Sequence, residues 1–287
     1  MPALSLVVCL HNEREFLQRL LLQSAGCHDD LVVVHDGPDV ADVRSVVEAA
    51  GGRFFEQQRE YQQEPHWPFA WQQAAHDWIL RLDADEYPTD KMKAWLGRFR
   101  TAPEPKTSIS GFTCIWPLWN GQRAVSKKWP AGRIFLFHRQ RVRFFGMNEQ
   151  VPIPDDKYEP SGLSLCHQPK RKSYGLRNLL MRKQAYLWRT QLARSLQGRP
   201  IDLPCWRWNL DSWPGEWEAI RQRPLGTAFR RLTRGTLRTL RDQWRSEGRL
   251  FPMAALSGPI HHALICFEYW RLHGRQRRAM GAKNKES

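Results

Sequence analysis

Three carboxylates crowd one stretch, Trp78-Ile-Leu-Arg-Leu-Asp-Ala-Asp-Glu86, where Asp83, Asp85 and Glu86 follow a short apolar run broken only by Arg81. Hard carboxylate oxygens at this spacing can share a divalent cation and the phosphate oxygens it attracts. Side chains alternate along an extended chain, so Asp83 and Asp85 are expected to point the same way, with Ala84 between them. A solvated acidic turn would look similar, and Tyr87-Pro88-Thr89 is itself a turn signal. What separates the two readings is where the run sits in the fold. It has the length of a buried strand, and in open α/β sheets ligands bind beyond the carboxyl ends of strands.

The elements that must position these acids can be read in order. Leu4-Ser-Leu-Val-Val-Cys-Leu10 is a buried strand pattern ending at His11-Asn12-Glu13. Asn12 is expected to cap a helix carrying Phe16, Leu17, Leu20 and Leu21, which Gly26 stops. Leu31-Val-Val-Val-His35 predicts a second strand, ending in Asp36-Gly37-Pro38-Asp39. A helix with Val43, Val46, Val47 and Ala50 follows, closed by Gly51-Gly52, and Arg53-Phe-Phe55 makes a short third strand. A further helix, about Phe69 to His76, leads into the Trp78 strand. This alternation predicts a doubly wound, mostly parallel α/β sheet. Glu13, Asp36 and the Asp83/Asp85 pair would then meet at one rim, where a nucleotide can be gripped and a metal can bridge its phosphates. Taken singly, Asp36 could equally be an Asp-Gly turn residue, and Glu13 a first-turn acid complementing the helix dipole.

Together, Leu4-Ser-Leu-Val-Val-Cys-Leu-His-Asn-Glu13, Val32-Val-Val-His-Asp-Gly-Pro-Asp39 and Asp77-Trp-Ile-Leu-Arg-Leu-Asp-Ala-Asp-Glu86 resemble a known set of motifs. They are similar, in order and spacing, to the signatures of family 2 inverting glycosyltransferases with the GT-A fold. The branch they look closest to adds sugars to lipopolysaccharide core or other bacterial surface glycans. The resemblance spans roughly residues 4–190. It implies a Rossmann-like GT-A sheet, a nucleotide-diphosphate sugar as donor, and Mn²⁺ or Mg²⁺ as cofactor. On the matching motifs Asp36 would accept from the base, Asp83 would lie near the ribose or the metal, and Asp85 would coordinate the metal on the diphosphate. Leu10 and His11 stand where the family has a small or hydroxyl residue and an aromatic; with Glu13 they complete the expected donor contacts at the first strand end.

Past the acidic motif, Met92, Trp95, Leu96 and Phe99 mark a helix, and Ile109 to Trp119 an aromatic-bearing strand. Ala131 to Arg139 and Val142 to Glu149 follow; the resembled branch has here a hairpin ending in His-Glu, and Asn148-Glu149 stands in its place. Inverting transfer needs a carboxylate to take the proton of the attacking hydroxyl, and Glu149 is the candidate base, with Asp155 and Asp156 in reserve. Arg133 is a candidate partner for the diphosphate, although a solvent-exposed strand arginine would read alike. Leu163-Ser-Leu-Cys-His167 is another strand end, and the resembled branch carries a histidine there. A neutral His167 imidazole could complete the metal shell with Asp85 or contact the diphosphate. Lys170-Arg-Lys172 suits leaving-group phosphate or lipid headgroups.

The catalytic domain is expected over residues 1–175, and a helical, basic, membrane-associating region over 176–287. Trp206, Trp208, Trp213 and Trp217 could stack on sugar rings or pack in a core. From Phe229 to Arg245, apolar Phe229, Leu232, Leu237, Leu240 and Trp244 oppose Arg230, Arg231, Arg234, Arg238, Arg241 and Arg245. Such a basic amphipathic helix suits anionic lipid, or docking onto the body of the protein. Pro252 to Leu272 is apolar but interrupted, which predicts a re-entrant or interfacial hairpin, and residues 281–287 read as disordered.

Charge and cysteine usage narrow the classes. Of the net +15, residues 1–166 carry 19 Lys and Arg against 21 Asp and Glu, whereas residues 167–287 carry 25 against 8. The second part should therefore seek phosphate, on nucleic acid or on an anionic membrane. The six cysteines form no Cys-x-x-Cys pair, which argues against a zinc site or a disulfide framework and fits a reducing cytosol. The start lacks a basic n-region, and no segment reaches 18 uninterrupted apolar residues, so neither a signal peptide nor an ordinary membrane span is expected. The expected location is the cytoplasm, peripheral on the inner face of the cell membrane, with a saccharide or lipid-linked acceptor. Two other readings are a nucleic-acid binder built on the basic tryptophan-rich half and a metal phosphohydrolase using Asp83-x-Asp85. The first has no recognised binding motif behind it, so no nucleic acid partner is expected. The second would place its acidic motif on the first strand with Thr or Val two residues on, where Tyr87 stands.

Overall fold

The computed structural model describes residues 1–147, 150–170, 172 and 183–286. Strand β1 (Leu4–Leu10) is buried along its whole length, as an aliphatic run covered on both faces must be. It lies between β2 (Asp30–Asp36) and β4 (Trp78–Arg81), parallel to both, and β3 (Arg53–Gln57) adds a parallel strand outside β2. Beyond β4 come β7 (Ala131–His138), antiparallel to it, then β6 (Ile109–Ile115), antiparallel to β7, and β10 (Lys157–His167), parallel to β6. Strand β5 (Glu86–Pro88) closes that edge, antiparallel to β10, and gives an eight-stranded order β3-β2-β1-β4-β7-β6-β10-β5. Short β8 (Val142–Arg143) and β9 (Ile153–Pro154) pair separately. The result is the mixed, mostly parallel, Rossmann-like sheet that the strand and helix alternation predicts, and it is consistent with the GT-A fold that the resemblance implies.

Helices cover both faces. On one, α1 (Arg14–Gln23), α2 (Val43–Ala49) and α4 (Asp90–Thr101) bring Leu17, Leu20, Val47, Met92 and Leu96 onto Leu6, Val8, Val33 and Leu80. On the other, α3 (Trp67–Gln73) sets Trp67, Ala70 and Trp71 on Val7, Cys9, Val34 and Ile79. Burying aliphatic and aromatic side chains of this size contributes about 1.5–3 kcal/mol each, so this double layer holds the strand ends in place.

The strand directions decide what can meet. Strands β1, β2, β4, β6 and β10 run one way and β7 the other, so Glu13, Asp36, Asp83, Asp85, Arg133 and His167 all fall at one edge of the sheet. Asp155 and Asp156 precede β10, at its amino end. Eleven residues of strand separate them from that edge, up to about 36 Å at a rise of about 3.3 Å per residue. Asp155 is moreover paired with Arg143 at 3.1 Å and Arg207 at 2.9 Å. Neither aspartate can stand in for a base at the edge, which corrects that expectation.

Two compact units divide the chain, Met1–Ser173 with Pro204–Trp208, and Tyr174–Leu203 with Asn209–Ser287. The second is helical, with α5 (Lys183–Ser195), α6 (Gly215–Gln222), α7 (Pro224–Arg230), α8 (Thr236–Glu247) and α9 (Pro252–Glu286). Helix α9 is continuous through Pro259 rather than a hairpin, and it carries on to Glu286, past the point where the sequence predicts disorder. No described helix is long and apolar enough to cross a membrane. The tryptophans pack: Trp206 meets Trp71 edge-on and donates to the Arg139 carbonyl, Trp208 meets Phe145, Trp217 is buried, and Trp213 lies under the Arg221 guanidinium.

Candidate active site

At the end of β1 the chain turns sharply. Asn12 takes a left-handed φ of 53°, and no side chain caps α1, so the expected Asn12 cap is not formed. Its amide N–H donates to His35 Nε2 at 3.0 Å instead, and His11 Nδ1 lies 2.8 Å from the Asp36 carbonyl. Leu10 is wholly buried in the core, so it can offer a ligand only its backbone.

Asp36 is held from several sides. Its Oδ1 accepts from the Glu60 amide at 2.5 Å and lies 2.9 Å from His66 Nε2, while Arg59 reaches Oδ2 at 3.1 Å. Burial alone would raise its pKa, but the His66 contact, the Glu60 amide and Arg59 outweigh it and hold the carboxyl below the usual range. Gly37 permits this closeness: it has φ +89°, and a Cβ there would stand 2.8 Å from the Arg59 side chain. A nucleobase reaching Asp36 would compete with partners already in place.

After β4 the chain leaves the extended conformation. The Glu86 amide donates to the Asp83 carbonyl at 2.9 Å, closing a turn, so Asp83 and Asp85 sit on a bend rather than on the extended chain that simple alternation assumes. Asp83 Oδ2 pairs with Arg133 at 2.8 Å, whereas Asp85 Oδ2 faces His167 Nε2 at 3.6 Å. Glu86 is fully buried, accepts from Arg133 Nε at 3.0 Å and Nη2 at 2.9 Å, and takes the Asp83 amide at 2.8 Å. Burial raises the Glu86 pKa, and Arg133 opposes that rise. Arg133 thus sits on Asp83 and Glu86 rather than at an exposed strand position. The predicted turn at Tyr87-Pro88 is a strand, β5, because Glu86 pairs with His167 and Tyr87 with Cys166. That pairing sets His167 beside Asp85.

Around Asp85 the remaining groups converge. His167 stacks on Trp116 with ring centroids 3.9 Å apart, and its Nδ1 is buried without a hydrogen-bond partner. Glu13 is mostly buried, and its pKa is pushed up to about 7, first by burial and then by the Asp85 and Asp83 carboxylates; Lys170 pulls the other way. Arg81 lies fully buried over the Trp67 ring at 4.3 Å, and none of its guanidinium nitrogens makes a hydrogen bond. Burial, then Arg133, lowers its pKa to about 10, and Asp83, Glu86 and Glu64 oppose that. Glu149, the candidate base, and Arg171 lie outside the described residues.

Among the described residues no three His, Cys, Asp or Glu side chains are arranged to hold a metal ion by themselves. Asp85 and His167, too far apart for a hydrogen bond, are suited to share an ion whose other ligands come from phosphate and water.

The raised Glu13 pKa makes a prediction about stability. A carboxyl whose folded pKa exceeds its unfolded 4.5 favours the folded state when protonated. Its contribution is full below about pH 4.5 and is lost as pH rises through about 7, on the order of 2–3 kcal/mol. Thermal melts in EDTA should therefore show stability falling between about pH 5 and 8, and Glu13→Gln should flatten that slope. Matching slopes for the two proteins would contradict the assignment.

The chain matches no family model and no curated protein. Among solved structures it is similar to S. aureus TarS 1–349, at 18% identity and a TM-score of 0.33, over 44% of this chain and 38% of that one. A longer S. aureus TarS structure matches at 15% identity and TM-score 0.32, over 44% of this chain and 23% of that one. CMP:2-keto-3-deoxy-manno-octonic acid synthetase complexed with CTP matches at 14% identity and TM-score 0.29, over 47% and 71%. Scores of this size mark a partial likeness, from which no function follows.

Proposed function

We propose that this chain is an inverting glycosyltransferase that moves a sugar from a nucleotide-diphosphate donor to a saccharide or lipid-linked acceptor in surface-glycan synthesis. The observation that supports it most is the gathering of Glu13, Asp83, Asp85 and His167 at the carboxyl edge of the sheet, close enough for the acids to raise the Glu13 pKa. Acids so crowded favour a cation, and this edge is where α/β folds take nucleotides. Asp85 and His167 would hold Mn²⁺ or Mg²⁺, and bound there the ion would neutralise the leaving diphosphate. Arg133 would fix the Asp83 carboxylate, and Lys170 would lend positive charge to the departing group. His11 and Asp36 would line the nucleoside end. Glu149 would take the proton of the acceptor hydroxyl. The enzyme would work as a peripheral protein on the inner face of the cell membrane.

Thermal-shift measurements against UDP-, GDP-, CMP- and dTDP-sugars, with and without Mn²⁺, test the donor. One diphosphate sugar should raise the Tm only when metal is present; no response across the panel, or a response to CMP-sugars alone, would overturn the reading. Glu149→Gln should keep that Tm rise and lower transfer by about 10²–10⁴-fold. Undiminished transfer in this variant would remove Glu149 from the role, and the anomeric configuration of the product by NMR tests inversion.

A further inference from the structure

Helices α7 and α8 are joined without a break by a π turn at Arg231–Gly235, which makes one helical run from Pro224 to Glu247. The side toward α9 is closed: Thr227 and Gln243 are buried, and Gln243 accepts from the Phe251 amide at 2.8 Å. On the outer side large apolar groups stand in solvent, Phe229 at 71%, Leu237 at 67% and Trp244 at 61% exposure, with Leu225 and Leu232 also exposed.

The π turn lines these groups up. A π turn takes about one residue more than the 3.6 of an α turn, so the eight residues from Phe229 to Leu237 make about two full turns. In an unbroken α-helix the same pair would be offset by about 80°. Leu225 and Phe229 are four apart and Leu237 and Trp244 seven apart, so all four fall in one row. Arg230, Arg234, Arg238 and Arg245 are exposed and fall in a second row, roughly a quarter of a turn round from the first, and exposed Arg241 stands between the two rows. The arginines therefore run beside the apolar row rather than opposite it. Asp242 is the one exposed acid between Arg230 and Arg245.

We infer that this run lies flat on an anionic lipid surface, with Leu225, Phe229, Leu237 and Trp244 entering the headgroup and acyl boundary and the arginine row meeting lipid phosphates. An apolar row with a single-sign cationic flank fits that partner: lipid takes the apolar groups without shape matching, and anionic headgroups take the arginines. The inference deepens the peripheral placement proposed for the enzyme, but it is read without any substrate, so it stands or falls separately from sugar transfer.

Co-sedimentation of the full chain with vesicles tests it, using phosphatidylcholine alone and phosphatidylcholine with one-fifth phosphatidylglycerol. Binding should favour the anionic vesicles and weaken steeply with salt. Replacing Phe229, Leu237 and Trp244 together by serine should weaken partitioning about 100-fold or more, at unchanged helix content by circular dichroism. Should that variant fold poorly, the surface triple Arg238→Glu, Arg241→Glu and Arg245→Glu should abolish the anionic preference by itself. Leu22→Ser, an exposed apolar residue on α1, should change nothing. Vesicle binding indifferent to both triples would overturn the inference. So would retention on duplex DNA without vesicle binding, or a dimer in solution that the serine triple dissolves.

Discussion

Asp85→Ala should lower kcat/KM for sugar transfer by about 10²–10³-fold or more and remove the Mn²⁺-dependent rise in Tm that the donor produces. Asp85 points at His167 across 3.6 Å, and its carboxylate is one of the two largest charge influences on Glu13. Removing it deletes one of only two side chains proposed to hold the ion. The charge on the departing diphosphate then has to be met by Lys170 and solvent, at a loss comparable to that of other preorganised electrostatic groups. The same substitution should bring the Glu13 pKa down, because the carboxylate that raises it most is gone. Full transfer activity in Asp85→Ala would count against the site.

Arg133→Met should destabilise the fold by about 3–5 kcal/mol in urea unfolding, the cost of leaving a buried carboxylate without its counter-charge. Glu86 has no exposure at all, and Arg133 meets it through two nitrogens, so losing the guanidinium leaves that carboxylate without its counter-charge. Asp83 would be released at the same time, and donor affinity should fall with it. Pairing the change with Glu86→Leu should recover much of the stability and little of the donor affinity, since the apolar pair repairs the core but not Asp83. A loss below about 1 kcal/mol in Arg133→Met, with donor binding alone weakened, would instead assign Arg133 to the diphosphate.

The contrast between these two residues shows what can be read along a chain and what cannot. The runs Leu4–Leu10 and Asp30–Asp36 announce buried parallel strands by composition, and with alternating helices they bring Glu13, Asp36 and Asp83 to one edge. Asp85 and His167 are legible for the same reason, as strand-end residues. Arg133 is not: its partners lie 47 and 50 residues away in sequence, and nothing local distinguishes a buried ion pair from an exposed strand arginine. Alternation does not apply to Asp83 and Asp85 because the chain has already turned at that point, in a bend closed by the Glu86 amide on the Asp83 carbonyl. Asp155 and Asp156 mislead by nearness in sequence to Glu149, while the length of β10 carries them to the far edge. The row of Leu225, Phe229, Leu237 and Trp244 depends on one π turn, which has no sequence signature at 3.6-residue periodicity.

Free Mn²⁺ gives a strong six-line electron paramagnetic resonance signal that is lost on immobilisation, so titrating it into the protein with a nucleoside diphosphate reads the proposed site directly. Wild-type protein should remove one equivalent of the signal beyond what the nucleotide removes alone, and Asp85→Ala should remove none. Wild-type protein that leaves the signal where nucleotide alone sets it, for uridine, guanosine and thymidine diphosphates alike, would contradict a cation-bridged donor at this sheet edge.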